Sequence, residues 1–168
     1  MPVFISYRHS DRLKALEVRN KLDRNNITCY LDVIDEESRT TDDITDVITK
    51  NIKKCTHLLA IISPNTNGSW WVPFEIGEAT IFDRRICSYA FKEFAYISRS
   101  NLSLYKSFLP EYLHKWPLLL SDSDLDAFIQ EYKRDSERAI FDSSRSATFD
   151  SLTKSGAESF HRNLKRIL

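Results

Sequence analysis

Glycine is scarce in this chain of 168 residues, which contains only three, and none forms a Gly-x-Gly-x-x-Gly or Walker-type loop. A phosphate cradle built from glycine backbone is therefore excluded. Net charge is absent as well, because 24 lysines and arginines balance 24 aspartates and glutamates. Proteins that hold nucleic acid by its phosphates carry a basic excess, so neither nucleic acid nor an anionic membrane surface is an expected partner.

Cysteine and histidine are few and lack the spacing of metal ligands. The three cysteines, Cys29, Cys55 and Cys87, are far apart and form no Cys-x-x-Cys pair. The four histidines likewise form no ligand pair: His9, His57, His114 and His161. We therefore expect reduced thiols and no metal site. No apolar run approaches the length of a membrane span, and the amino terminus turns polar within six residues, so we expect a cytoplasmic protein.

Short apolar runs alternate with amphipathic stretches along most of the chain. The apolar runs are Val3–Tyr7, Ile27–Leu31, Leu58–Ile62, Ile86–Ala90 and the shorter Pro117–Leu120. This alternation predicts an α/β fold with a parallel sheet and helices on both faces. We expect a single domain over 1–168, with a core of about 1–135. Residues 136–168 are expected to form a loop, rich in serine and aspartate over Asp142–Ser151, and a terminal helix that packs on the core.

Ligands of an open parallel sheet bind beyond the carboxyl ends of its strands. That rule selects three segments: Tyr7–Asp11, Asp32–Asp43 and Ser63–Glu75. The acidic residues of the second segment could hold a cation, but a solvated acidic loop is the favoured interpretation.

The third segment places two tryptophans and a carboxylate where a loop enters a helix. Trp71 and Glu75 are four residues apart, so they share one face if the turn between them is helical. A tryptophan can pack against a base or a sugar, and a carboxylate can stabilise positive charge on an anomeric carbon. The alternative is that the tryptophans belong to the core and that Glu75 is a solvated helix residue.

Four motifs in order resemble those of TIR domains. Val3-Phe4-Ile5-Ser6-Tyr7-Arg8 is similar to their first strand, Tyr30-Leu31-Asp32 to their second, and Leu59-Ala60-Ile61-Ile62-Ser63 to their third. Ser69-x-Trp71-Val72-x-x-Glu75 resembles the Ser-x-Trp-x-x-x-Glu motif of TIR domains that cleave NAD⁺. Leu109-Pro110-Glu111-Tyr112-Leu113 and Trp116-Pro117 are also similar to bacterial antiphage TIR proteins of the Thoeris type.

The resemblance implies a flavodoxin-like fold, a central parallel five-stranded sheet in the order 2-1-3-4-5. It implies cleavage of NAD⁺ as substrate without a further cofactor, and a product, ADP-ribose or a cyclic ADP-ribose, that a separate effector senses. It also implies a possible homo-oligomer formed through TIR–TIR contacts. The implied roles are Glu75 as the catalytic carboxylate, Trp71 beside the substrate, Tyr7 and Arg8 lining the pocket, Asp32 at its rim and Ser69 near the ribose or phosphate.

Two other functions remain open from the sequence. A TIR domain can act as a non-enzymatic adaptor through TIR–TIR contact alone. A nucleoside deoxyribosyltransferase-like enzyme also uses a glutamate on a flavodoxin-like fold, but it acts on free nucleosides.

Overall fold

A computed structural model describes residues 1–31, 44–66, 68–91, 109–143 and 149–168, and these described parts form five β-strands and five α-helices. The strands are β1 Val3–Ser6, β2 Cys29–Leu31, β3 His57–Ile62, β4 Arg85–Ala90 and β5 Leu118–Leu119. The helices are α1 Arg12–Arg24, α2 Ile44–Lys54, α3 Trp71–Ile81, α4 Asp122–Ser143 and α5 Phe149–Ile167. A short 3₁₀ turn, His9–Asp11, leads into α1.

All five strands are parallel and lie in the order β2-β1-β3-β4-β5. The predicted fold class, including the strand order that the resemblance implies, is confirmed. Strand order reverses direction next to β1, which lies between β2 and β3. In parallel sheets of this kind the crevice at the carboxyl ends of such strands is the usual ligand site.

Side chains alternate between the two faces of the sheet, and each face has its own hydrophobic cluster. On one face Ile5, Leu59 and Cys87 pack with residues of α1, α4 and α5. On the other face Phe4 and Leu58 pack with residues of α2 and α3. β3 and β4 are buried along their whole length, as expected of strands covered on both sides.

The carboxyl-terminal region contains more helix than the sequence predicts. α4 continues to Ser143 and α5 begins at Phe149, so the predicted loop over Asp142–Ser151 is wrong at both ends. Serine and aspartate lower helix propensity by well under 1 kcal/mol each, and a helix already formed gains a hydrogen bond with every residue added. α5 packs against α4 and β4, on the sheet face that also carries α1.

In the described parts of the chain, no helix combines the length and the apolar character that crossing a membrane would require.

Candidate active site at the carboxyl edge of the sheet

Glu75 lies in the second turn of α3, above the carboxyl end of β1. Its side chain is fully buried, with 0% of its surface exposed. The Ser6 hydroxyl, at the end of β1, donates a hydrogen bond to Glu75 Oε2. The alternative interpretation of Glu75 as a solvated helix residue is therefore wrong. Burying a carboxylate carries a large desolvation cost, so its place at this edge of the sheet requires specific polar partners.

Small side chains form a row in the sheet at the level where Ser6 meets Glu75. Ser6, Ala60 and Ser88 are in register across β1, β3 and β4, so they lie side by side on the face that α2 and α3 cover. The neighbouring row on the same face is Phe4, Leu58 and Ile86, all bulky and buried. The change from large to small side chains along the strands creates the space in which a glutamate side chain fits.

The start of α3 is fixed by its own loop. Ser69 Oγ accepts a 3.4 Å hydrogen bond from the Val72 amide, and the Ser69 amide donates to the Thr66 carbonyl at 3.0 Å. Pro73 lies in the first helical turn, where no amide proton is required. Ser69, predicted near the ribose or phosphate, thus lies at the amino end of the helix that carries Glu75.

The two tryptophans differ sharply in environment. Trp71 is partly buried, packs on the α2–α3 cluster and meets the Phe74 ring edge to face at 6.1 Å. Trp70 is 89% exposed. The alternative interpretation, that the tryptophans belong to the core, therefore fits Trp71 in part and Trp70 not at all.

Of the other predicted pocket residues, Arg8 lies at this edge and Tyr7 packs on the opposite face. The Arg8 guanidinium donates to the Asn65 carbonyl in the loop after β3. Tyr7 is buried in the cluster that includes α1 residues, because neighbouring residues of a strand point to opposite faces. Ser6, rather than Tyr7, is the β1 side chain that meets Glu75. Asp32 and the acidic segment after it lie outside the described residues.

A second polar network ties the turn after β1 to the loop after β3. Ser63 Oγ donates to Asp11 Oδ2 at 2.7 Å and accepts from the Asn65 amide at 3.0 Å. Thr66 Oγ1 accepts from the Ser63 amide at 2.9 Å. Asp11 is buried and is not a side-chain cap of α1. Two of the three segments selected from the sequence are therefore joined by a buried hydrogen bond, from Ser63 to Asp11, and by the exposed Arg8–Asn65 contact.

Among the described residues no group of three or more histidine, cysteine, aspartate or glutamate side chains could hold a metal ion. The three cysteines are free thiols. Burial raises the pKa of Cys29 and of Cys55 to about 12, and it raises the pKa of Cys87 further. All three therefore remain protonated at neutral pH and are poor nucleophiles.

Another buried polar cluster lies at the opposite, amino edge of the sheet. Asp135 Oδ2 is 2.5 Å from Arg85 Nε and 3.6 Å from His57 Nε2, and its Oδ1 is 3.4 Å from Arg85 Nη2. Burial raises the pKa of Asp135, and the Arg85 guanidinium opposes that shift. Burial and the charge of Arg85 lower the pKa of His57 well below its ordinary value. His57 is also enclosed by the rings of Phe128, Tyr132 and Phe160.

His161 completes the amino-edge cluster from α5. Its Nε2 accepts a 2.8 Å hydrogen bond from the Ile86 amide. Ile86 lies on β4, before the residues of β4 that pair with the two-residue strand β5. Burial lowers the pKa of His161 to about 4, with further lowering from Lys165 and Arg85. The neutral ring is the form that can accept from this amide.

Ser6 and this amino-edge cluster were not singled out from the sequence. The signal for Ser6 was a polar residue inside an otherwise apolar run that is buried on both faces, Val3-Phe4-Ile5-Ser6-Tyr7. A buried hydroxyl requires a partner, and the nearest candidates in a βα unit are side chains of the covering helix.

The sheet order defines a doubly wound parallel α/β protein, and the buried carboxylate at its carboxyl edge marks a candidate site after β1 and β3. The family model described as "TIR domain" matches residues 3–89, just over half of the chain, and the chain belongs to the TIR domain family. No significant match is found among curated proteins. A similar solved structure is a TIR domain of the activated Roq1 resistosome that directly recognizes the pathogen effector XopQ. The identity is 15% and the TM-score 0.48, over 99% of this chain and 96% of that one.

Proposed function

We propose that this TIR domain is an NAD⁺ nucleosidase or cyclase, an enzyme that releases nicotinamide and forms ADP-ribose or a cyclic ADP-ribose. We further propose that the product is a signalling nucleotide of bacterial antiphage defence, made in the cytoplasm and sensed by a separate effector. NAD⁺ is the substrate, and neither a cofactor nor a metal is needed. The observation that carries the proposal is the buried Glu75, which joins α3 to β1 at the edge where parallel sheets bind ligands.

In the proposed chemistry the protein has to position the substrate and to stabilise the positive charge that develops on the ribose. The bond between ribose C1′ and the nicotinamide nitrogen breaks, and its electron pair leaves with nicotinamide. The Glu75 carboxylate stabilises the ribosyl cation that develops at C1′. Attack by water gives ADP-ribose and a proton. Attack by a nucleophilic atom of the same molecule gives a cyclic product, and exclusion of water from the site favours that route.

The surrounding residues support roles in placement. Trp71 stands one helical turn before Glu75, so both project from one side of α3. Arg8 joins the segment after β1 to the loop after β3, and Ser69 fixes the start of α3. Tyr7 follows the last residue of β1 and packs on the opposite face of the sheet, so the family resemblance alone supports its proposed role in lining the pocket. For Asp32 the family resemblance is the support.

The test is nicotinamide release from NAD⁺ by the purified protein, with products identified by mass spectrometry. We also propose that TIR–TIR contacts complete the site, so assays are run at several protein concentrations and with extract of phage-infected cells. Glu75→Gln should abolish release because it keeps volume and removes charge. Glu78→Gln is the matched control: Glu78 lies on the same helix and accepts a 3.2 Å hydrogen bond from Thr49.

Loss of activity in Glu75→Gln with near-normal activity in Glu78→Gln supports the assignment. Equal activity of Glu75→Gln and wild type contradicts it. Cleavage of free nucleosides with no action on NAD⁺ would identify a deoxyribosyltransferase-like enzyme instead.

A non-enzymatic adaptor that acts through TIR–TIR contact is the second candidate. The observation that favours it is the complete burial of Glu75, because a group with no exposed surface is not accessible to a substrate in this conformation. Absence of nicotinamide release under every condition above, together with self-association of the protein, would support the adaptor.

A further inference from the structure

The Ser6 hydroxyl is a neighbour of Glu75 that comes from a different element of the fold. We propose that Ser6 is a positioning residue for the NAD⁺ cleavage proposed above, on which this inference rests. Its hydroxyl orients the Glu75 carboxylate and favours the ionised form that must face the ribosyl cation. Ser6 does not itself touch the substrate in this proposal.

The position of the Ser6 hydroxyl is fixed by the strand that carries it. Ser6 is the last residue of β1, a central strand that pairs with β2 and β3. Its side chain is fully buried and has a single rotatable bond to its hydroxyl. Glu75, in contrast, has a long side chain whose carboxylate can take many orientations. A hydrogen bond from a fixed donor therefore selects one of them and reduces the reorganisation needed during reaction.

The hydrogen bond also favours charge on Glu75. A hydroxyl donates to an ionised carboxylate more strongly than to a neutral carboxyl, and the effect is larger where water is excluded. In this structure both Ser6 and Glu75 are fully buried, so the hydroxyl donates to the carboxylate away from bulk water. Removal of this donor should therefore make the carboxylate easier to protonate.

Ser88 shows that a buried serine at this level of the sheet does not necessarily donate a hydrogen bond to Glu75. It occupies the same row and face as Ser6, on β4, and is equally buried. Yet within the part of the chain that the structure describes, Ser88 Oγ has no hydrogen-bond partner. Ser88→Ala is therefore a control with the same substitution, burial and sheet, but without a hydrogen bond to the carboxylate.

The experiment compares the steady-state kinetics of Ser6→Ala, Ser6→Cys and Ser88→Ala with wild type across pH. We expect both Ser6 variants to lose about 10- to 100-fold in kcat, with KM within about twofold. The acid limb of their pH–rate profile should move to higher pH. Cysteine has nearly the size of serine but is a weak donor, so it separates the loss of the hydrogen bond from the loss of volume. Ser88→Ala should match wild type in kcat and in pH profile.

The possible outcomes separate this inference from the function on which it rests. Wild type that releases no nicotinamide defeats the proposed function, and this inference with it. If wild type releases nicotinamide and Ser6→Cys retains its kcat and pH profile, the positioning role is overturned and the proposed function stands. An equal fall in kcat in all three variants also overturns the positioning role, because replacement of any buried serine would then have the same effect.

If Ser6→Ala does not fold, Ser6→Cys gives the kinetic answer. A double-mutant cycle of Ser6→Cys with Glu75→Gln, followed by chemical denaturation, gives an answer that needs no turnover. Non-additive shifts in the denaturation midpoint support the contact, and additive shifts contradict it.

Discussion

Two buried carboxylates, Glu75 and Asp135, lie at opposite edges and on opposite faces of the same sheet. Asp135, at the amino edge, faces the Arg85 guanidinium at 2.5 Å, which neutralises its charge. Glu75, at the carboxyl edge, accepts from the neutral hydroxyl of Ser6. The topology rule places ligands at the carboxyl edge alone. Although the two carboxylates are buried to nearly the same extent, we assign Asp135 to the stability of the fold and propose Glu75 for chemistry.

The comparison is tested most strongly by removing the partner of each carboxylate. Arg85→Met leaves Asp135 buried without its guanidinium and should lower the free energy of unfolding by about 3–5 kcal/mol. Chemical denaturation measures this loss. Ser6→Ala should cost much less stability, because it removes a neutral donor. The distinction between the two edges would break down if the two substitutions had equal effects on stability.

A double replacement, Arg85→Met with Asp135→Leu, is the control for this first prediction. It removes both charges together and should recover much of the lost stability, because no uncompensated charge remains buried. If the double variant is as unstable as Arg85→Met alone, packing rather than charge pairing dominates at the amino edge.

Acid should weaken the amino edge through His161. Its pKa in the folded protein is about 4, below the ordinary histidine value of 6.5, because burial favours the neutral ring. The unfolded chain therefore binds the proton first. The stability that His161 contributes is fully present above pH 6.5 and is lost as pH falls towards 4. At about 1.4 kcal/mol per pKa unit, the loss is about 2 kcal/mol after allowance for the partial exposure of His161.

The measurement is denaturation of wild type and His161→Gln between pH 7 and pH 4. Glutamine can still accept from the Ile86 amide but does not titrate, so its loss of stability over this range should be smaller. Carboxylates that titrate in the same range affect both proteins alike. Identical pH dependence in the two would show that His161 is not responsible.

The architecture could be predicted from the sequence because it depends on local patterns. Leu58–Ile62 and Ile86–Ala90 are apolar throughout, which is typical of parallel strands buried on both faces. Trp71 and Glu75 were found by the same kind of local reasoning, since their spacing places them on one helix face. The TIR motifs added the strand order.

The polar contacts at both edges could not be predicted in this way. Ser6 and Glu75 are 69 residues apart, and Arg85 and Asp135 are 50 apart, so no local pattern links either pair. Each contact depends on the sheet register and on the rotation of a helix about its own axis. A shift of one residue in β1 would turn Ser6 away from α3 and bring Tyr7 towards it.

Trp71 sharpens the interpretation of the carboxyl edge. Trp71→Ala should reduce kcat/KM for NAD⁺ by about tenfold or more, since it removes an aromatic face one turn from Glu75. Trp70→Ala is the matched control: the same change at the adjacent, exposed position should alter kcat/KM by less than about twofold. Unchanged kinetics in Trp71→Ala would assign this tryptophan to the core alone.

Gly156 tests whether the Arg85–Asp135 pair at the amino edge determines how α5 packs on the sheet, and its expected effect on stability is small. A Cβ atom there would lie 3.1 Å from Cζ of Arg85 and would collide with its Nη2 atom. The guanidinium cannot easily withdraw, because Asp135 holds it. Gly156→Ala should therefore lower the free energy of unfolding by about 1 kcal/mol, although alanine favours a helix. In the Arg85→Met, Asp135→Leu background the long guanidinium is gone and helix propensity should dominate, so the same substitution should be neutral or stabilising. A loss of equal size in both backgrounds would mean that Gly156 serves another contact, and that the charged pair does not determine how α5 packs on the sheet.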